Sequence, residues 1–160
     1  NLKGQFHPQF PFWDCSAHLS DEELGRDLAL LPAIAEAGWC DAARDISMAG
    51  AIGSLLMMLE LSEVGAVVEV DAIPQPSAVG DRYFDWLLGF PSYGFVLCAR
   101  PQHVPSIQTT FAQHAISCVA IGTVTDERSV RLRRGREELL LRDLETERFM
   151  GLAPQTVTAV

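Results

Sequence analysis

The stretch best suited to chemistry is Asp45-Ile46-Ser47-Met48-Ala49-Gly50. There an extended piece passes through small residues into a helix that begins near Ala49. A helix start presents backbone N–H groups without intrahelical partners and the positive end of the helix dipole. Together these suit an anion, above all a phosphate. Ser47 can add a hydroxyl, and Asp45 can hold a metal or orient a donor. The plainer alternative is that Ser47 only caps the helix and Asp45 only bonds local N–H groups. A second candidate is Phe90-Pro91-Ser92-Tyr93-Gly94, a kink feeding an apolar strand. Ser92 and Gly94 can bring backbone close to a ligand there, or simply begin the strand. The candidate phosphate- or substrate-binding set is therefore Asp45, Ser47, Ala49, Gly50, Ser92 and Gly94, with no metal site and no assigned catalytic residue. Neither GxGxxG nor GKS/T occurs, so dinucleotide and P-loop sites have no support.

Other clusters are weaker. Five of the twelve basic residues, Arg128, Arg131, Arg133, Arg134 and Arg136, lie among Asp126, Glu127, Glu137 and Glu138, which reads as the solvated face of a hairpin. The four histidines are scattered, and Cys15-Ser-Ala-His18 lacks further ligands at zinc spacing. No nucleophile-elbow motif supports a Ser–His–Asp triad.

The element that must position the first turn is the helix over 49–61. Ile52, Leu55, Leu56, Met57, Met58, Leu59 and Leu61 cover nearly its whole circumference, with Glu60 its one charge. A helix apolar all round is buried on all sides, and this one is shorter than the roughly 20 residues that span a bilayer. Gly50 and Gly53 cost about 1 kcal/mol each in helix propensity against Ala and allow another backbone or a ligand to come close. Ser62-Glu63-Val64-Gly65 stops the helix, and 66–70 is a strand closed by Pro74 and Pro76.

Around this unit the chain alternates. Residues 1–19 form an extended arm whose Phe6, Phe10, Phe12 and Trp13 anchor it, with Pro8 and Pro11 excluding a helix. Ser20 and Glu23 make a capping box for a helix with Leu24, Leu28 and Leu31 on one face, which Pro32 either breaks or restarts as a second turn. A short helix spans 81–88, a strand apolar on both faces spans 92–99, and a helix over 107–115 begins near Pro105. The run 116–124, ISCVAIGTV, reads as a second buried strand. A hairpin turns at Arg134-Gly135-Arg136, residues 144–150 read as a short last helix, and 151–160 as a loose tail. The pattern is α/β (α+β), with one sheet and helices mainly on one face.

A chain of 160 residues is one domain by size, large enough to bury about 70% of its extended surface without staples. Its formal charge of −9 argues against nucleic acid, which needs Lys and Arg against phosphates, and against anionic membranes. Four cysteines without a CxxC pair point to a reducing, cytoplasmic setting. A start at Asn1 rather than Met reads as a piece of a longer protein.

ARDISMAG, SLL, LSEVGAVVEVDAIP, FPSYGFVLCARP and AISCVAIGTVTDERSVRLRRG occur here in that order. They resemble the second domain of the AIR synthetase-related proteins, which include AIR synthetase, selenophosphate synthetase, thiamine-monophosphate kinase and the hydrogenase-maturation carbamoyl dehydratase. Asp45, Ser47, Gly50, Ser62, Gly65 and Pro74 fall where that pattern has D/H-x-T/S, small residues, S-x-x-G and a closing Pro. The resemblance covers about residues 20–142 and points to an uncharacterised branch. It implies a two-layer sandwich with a mixed sheet of four to six strands. It further implies a C-terminal domain of an ATP-dependent enzyme that phosphorylates a small-molecule substrate, this domain closing over phosphate and acceptor. ATP and Mg²⁺ would be held mostly by a missing N-terminal domain, which forms a homodimer core, so this chain would not be active alone. Met48 and Ala49 stand where relatives have glycines or Asp, and Ser-Tyr-Gly replaces a glycine pair. Both changes narrow a phosphate cradle. The alternative is a non-catalytic ligand-binding or dimerisation module of the same fold.

Overall fold

A computed structural model of the chain describes residues 1–151. The arm carries two short strands, β1 (Gln5–Phe6) and β2 (Phe12–Asp14). Helix α1 (Asp21–Leu28) starts on the expected capping box: Ser20 Oγ accepts the Glu23 N–H, and the Glu23 carboxylate accepts the Ser20 N–H. After a break at Ala29 comes α2 (Leu30–Glu36). Pro32 sits in its first turn, where a missing N–H costs no helix bond. The buried positions of this pair are Asp27, Leu30 and Ile34, whereas Leu28 is 54% exposed. Of the expected Leu24–Leu28–Leu31 face, Leu24 and Leu31 are half-buried and only Leu28 turns outward. The inward side carries a polar contact, His114 Nδ1 lying 3.4 Å from Asp27 Oδ1, that apolar spacing does not report.

β3 (Ala42–Asp45) leads into α3 (Gly50–Ser62), which ends on Glu63 in the left-handed conformation. β4 (Gly65–Glu69) follows, then α4 (Tyr83–Leu88), β5 (Phe90–Pro91), β6 (Phe95–Cys98) and α5 (Val104–Gln113). The chain closes with β7 (Gly122–Thr125) and the hairpin of β8 (Ser129–Arg134) and β9 (Glu137–Asp143).

The strands form a mixed four-stranded sheet, β7-β4-β8-β9, in which β4 runs parallel to β8 and antiparallel to β7. Two small sheets accompany it: β3 with β6, and β1-β2-β5, through which the arm joins the body. The expected single sheet is thus the largest of three. Two apolar clusters result. One packs α3 (Leu55, Leu56, Met58, Leu59) on Ala66, Val68 and Val130. The other gathers Trp13, Cys15, Leu30, Ile34, Tyr93, Ile107 and Phe111. β6 lies between them, with Val96 and Cys98 in the first and Phe95 and Leu97 in the second, so its sequence is apolar on both faces.

Two further expectations fail. The run 116–124 is not a buried strand: only Gly122–Thr125 pairs, at the sheet edge, and Val119 and Val124 are exposed. Its apolar residues serve two places, Ile116 in the second cluster and Ile121 against the first. Residues 144–150 form turns rather than a helix. Asp143 Oδ1 accepts the Glu145 and Thr146 N–H groups, a local turn that competes with helix, and the buried Glu60 carboxylate takes the Phe149 and Met150 amides. The expected loose tail lies outside the described residues from 152 onward. No helix of the described residues is long and apolar enough to cross a membrane.

Candidate functional site

The ladder of β3 and β6 brings the two candidate turns side by side. Asp45 opposes Phe95, and the Ile46 N–H donates to the Gly94 carbonyl at 2.9 Å. The first turn then closes on itself. The Gly50 N–H donates to the Ser47 carbonyl at 2.8 Å, and the Ser47 N–H donates to Ser54 Oγ at 3.1 Å. Ser54 is fully buried on α3. Sequence reasoning missed it, although a lone Ser on a helix apolar all round was a signal.

The helix start carries no side-chain cap: Ala49 is the N-cap residue, and Ser47 contributes its carbonyl rather than its hydroxyl. The amides of the first turn therefore keep the anion-binding potential of an uncapped helix start. Gly50 has φ +69°, and a Cβ there would lie 2.1 Å from the Leu87 carbonyl oxygen. Only glycine meets both demands, which fixes how α3 begins against the end of α4. Asp45 is exposed and forms no ion pair among the described residues. Met48 is 81% exposed, so its side chain leaves the turn rather than filling it.

The second turn is closed. Ser92 Oγ accepts the Cys15 N–H at 2.9 Å and the Ser16 hydroxyl at 2.9 Å, and lies 3.2 Å from Cys15 Sγ. The Ser92 N–H donates to the Trp13 carbonyl. Tyr93 is buried and its hydroxyl donates to the Asp27 carbonyl at 2.6 Å. Burial first, and the Asp27 charge second, push its pKa up to about 12. A Cβ on Gly94 would lie 2.3 Å from Pro91 Cγ and 3.5 Å from Ile46 Cδ1, so this glycine lets the two turns touch. The structure thus gathers Asp45, Ser47, Ala49, Gly50 and Gly94, and turns the Ser92 hydroxyl toward the arm.

Arg44, next to Asp45, faces the other way. Its Nη2 lies 3.3 Å from Met57 Sδ, and its buried Nε has no partner among the described residues. The turn consequently offers an anion the helix end and backbone amides, with no arginine of its own. Elsewhere Arg128, Arg131, Arg133 and Arg134 pair with Glu63, Glu138, Glu69 and Asp71, the ion-paired surface of a hairpin. Among the described residues no group of three or more His, Cys, Asp or Glu is placed to hold a metal ion.

A mixed α+β domain built around a glycine-started buried helix defines a class, and comparison with known proteins places it. The family profile described as "AIR synthase related protein, C-terminal domain" matches residues 8–135. The chain belongs to that family. It is 39% identical over 152 residues to the uncharacterized protein sll0787 of Synechocystis sp., covering 94% of this chain and 47% of that protein. It is 31% identical over 152 residues to the uncharacterized protein MJ0640 of Methanocaldococcus jannaschii, covering 94% of this chain and 46% of that one. The chain spans about half the length of these relatives. Among solved structures it is similar to T. maritima PurL complexed with ATP (TM-score 0.66, 14% identity, 86% of this chain and 25% of that one). PurL complexed with FGAR is comparable (TM-score 0.65, 15% identity, 76% and 20%). At such identity the likeness concerns the fold.

Proposed function

We propose that this domain is the closing half of a two-domain, ATP-using enzyme that phosphorylates or activates a small molecule in the cytoplasm. Its share of the work is to hold a phosphate at the start of α3 and set the acceptor beside it. The observation that supports this most is the uncapped first turn of α3, begun by a glycine at φ +69° and flanked by the exposed Asp45. In phosphoryl transfer the protein acts mainly through positioning and electrostatics. Here the α3 amides that follow Gly50 bind an equatorial or bridging phosphate oxygen, the Ser47 hydroxyl adds a donor, and Asp45 orients the acceptor. Ser92 acts at one remove, fixing Gly94 and hence Ile46 through the arm.

ATP fits this turn through its phosphates only, and the base and ribose fall to the other half of the protein. Mg²⁺ fits only in part. Asp45 would offer it one carboxylate, and its remaining protein ligands would fall to the other half of the protein. Bound there, it would neutralise phosphate charge. The second half would also carry the subunit contacts of a homodimer.

A ligand-binding or dimerisation module without catalysis is the second reading. It is favoured by the Ser92 hydroxyl being engaged by the arm and by the absence, among the described residues, of a cation at the turn.

Thermal unfolding with millimolar phosphate, AMP and Mg-ATP tests the site. A ligand at 100 times its Kd adds about 2.7 kcal/mol, a rise of several degrees for a domain of this size. A shift with all three phosphate-bearing ligands supports the site. If neither this chain nor the full-length protein responds, the phosphate site is wrong.

A further inference from the structure

We infer that Phe10, Met48, Phe84 and Leu88 form the surface on which the other half of the longer polypeptide docks, seated across the start of α3. Three of these are the most exposed large hydrophobic side chains described: Met48 at 81%, Phe84 at 75% and Leu88 at 65%, with Phe10 at 61%. They belong to one neighbourhood. Met48 lies two residues before Gly50, whose missing Cβ would meet Leu87 O and Leu88 Cα. Phe84 is one turn before Leu88 on α4. Phe10 adjoins Pro11, whose carbonyl accepts the Phe90 N–H and lies against Gly89 at the end of α4.

The inward face of α4 shows that the outward one is not left over from poor packing. The Tyr83 hydroxyl donates to the Val70 carbonyl, the Trp86 indole N–H donates to the Pro74 carbonyl, and Leu87 packs on the α3 cluster. α4 is thus anchored on one side, yet presents Phe84 and Leu88 on the other. Four such side chains leave an apolar patch on the order of 400–600 Å². Covered from both sides, it corresponds to roughly 1,000 Å², within the range of interdomain contacts and below the standard size of a stable dimer. An occupant tethered to the same chain, at an effective concentration near millimolar, needs no more. The relatives supply such an occupant, since they extend about as far again beyond the part that matches. The inference rests on reading this chain as one half of a two-domain enzyme, and it adds where the halves meet.

The test uses the full-length protein that carries this sequence. Trypsin cleavage between the halves and the radius of gyration are compared for wild type, Phe84→Asp/Leu88→Asp, and a control, Leu139→Asp. Leu139 is 64% exposed but lies on β9, at the far edge of the four-stranded sheet. The double variant should be cleaved at least tenfold faster and be more extended, with the control unchanged. Phe84→Ser alone, at a solvent-facing position, should give a smaller rise with an unaltered melting temperature, which separates undocking from misfolding. Unchanged cleavage and size in the double variant would overturn the proposal. So would a dimer in wild type that the double variant dissolves without altering cleavage, because the occupant would then be a second copy. Phosphate and Mg-ATP binding are measured on the same samples. A wild-type protein that binds neither, but is undocked by the double variant, would sink the functional reading and keep the docking surface.

Discussion

The turns at 45–50 and 91–94 share one ladder and resemble each other in composition, yet they are in opposite states. Each is a short run of Ser, Gly and apolar residues between an extended piece and a regular element. The first ends on an uncapped helix, with Asp45 and Met48 turned outward. The second is sealed, its Ser92 hydroxyl held by Cys15 and Ser16 and its Tyr93 hydroxyl by Asp27. Polar residues in a turn are therefore free for a ligand only where tertiary neighbours leave them unspent. The sealed turn is the support of the open one, because Gly94 fixes Ile46 and so sets where α3 begins.

The largest expected effect is Gly50→Ala. The left-handed conformation costs an L-residue about 1–2 kcal/mol, and displacing the Leu87 carbonyl adds about 1–3 kcal/mol. Urea unfolding should show a loss of about 3 kcal/mol at unchanged m-value. A loss below 1 kcal/mol would mean that α3 starts without that glycine, and the open turn would lose its frame.

Next comes the alkaline limb set by the sealed turn. Tyr93 keeps its proton up to about 12 in the folded chain because burial disfavours the phenolate, whereas the unfolded phenol titrates near 10. The folded state then binds more protons between those values, so stability is fully present below about pH 10 and falls as pH rises toward 12. The drop is on the order of 2–3 kcal/mol. Tyr93→Phe should flatten that limb and cost about 1 kcal/mol at neutral pH through the lost bond to Asp27. An alkaline limb that persists in Tyr93→Phe would assign it to another group.

Ser92→Ala follows, at about 1–3 kcal/mol, since it leaves the amide of the fully buried Cys15 without its acceptor. Because its hydroxyl acts only through Gly94 and Ile46, its phosphate-induced thermal shift should fall by less than that of Ser47→Ala. If the variant lost that shift while staying folded, the two turns would act as one site and the contrast between them would fail.

Much of this was legible in the chain because the signals were local. The capping box at Ser20, the helix over 49–61, the strand beyond it and the hairpin at Gly135 each rest on residues within a few positions of one another. What escaped was set by distant partners. Nothing near Ser92 announces Cys15 and Ser16, which lie 77 and 76 positions away. Nothing near 144–150 announces that Glu60 collects its amides. The run 116–124 has the composition of a buried strand, but composition does not say that it feeds two clusters and pairs at an edge. For the candidate site, the sequence marked the residue types, and only the fold showed which hydroxyl was already engaged.

Ser47→Ala is the smallest change in stability and the sharpest test of the contrast. Its carbonyl and amide make the turn through Gly50 and Ser54, and both survive the substitution. Because the hydroxyl does not cap α3, stability should move by no more than about 0.5 kcal/mol, the usual size of a surface change. The phosphate response should weaken instead: losing one hydrogen bond to a charged group costs about 1.5–3 kcal/mol of binding, roughly a tenfold or larger rise in Kd. Isothermal titration with phosphate and Mg-ATP separates the two quantities. A stability loss near that of Ser92→Ala, with unchanged binding, would show the Ser47 hydroxyl spent within the fold, and the open turn would be as closed as its neighbour.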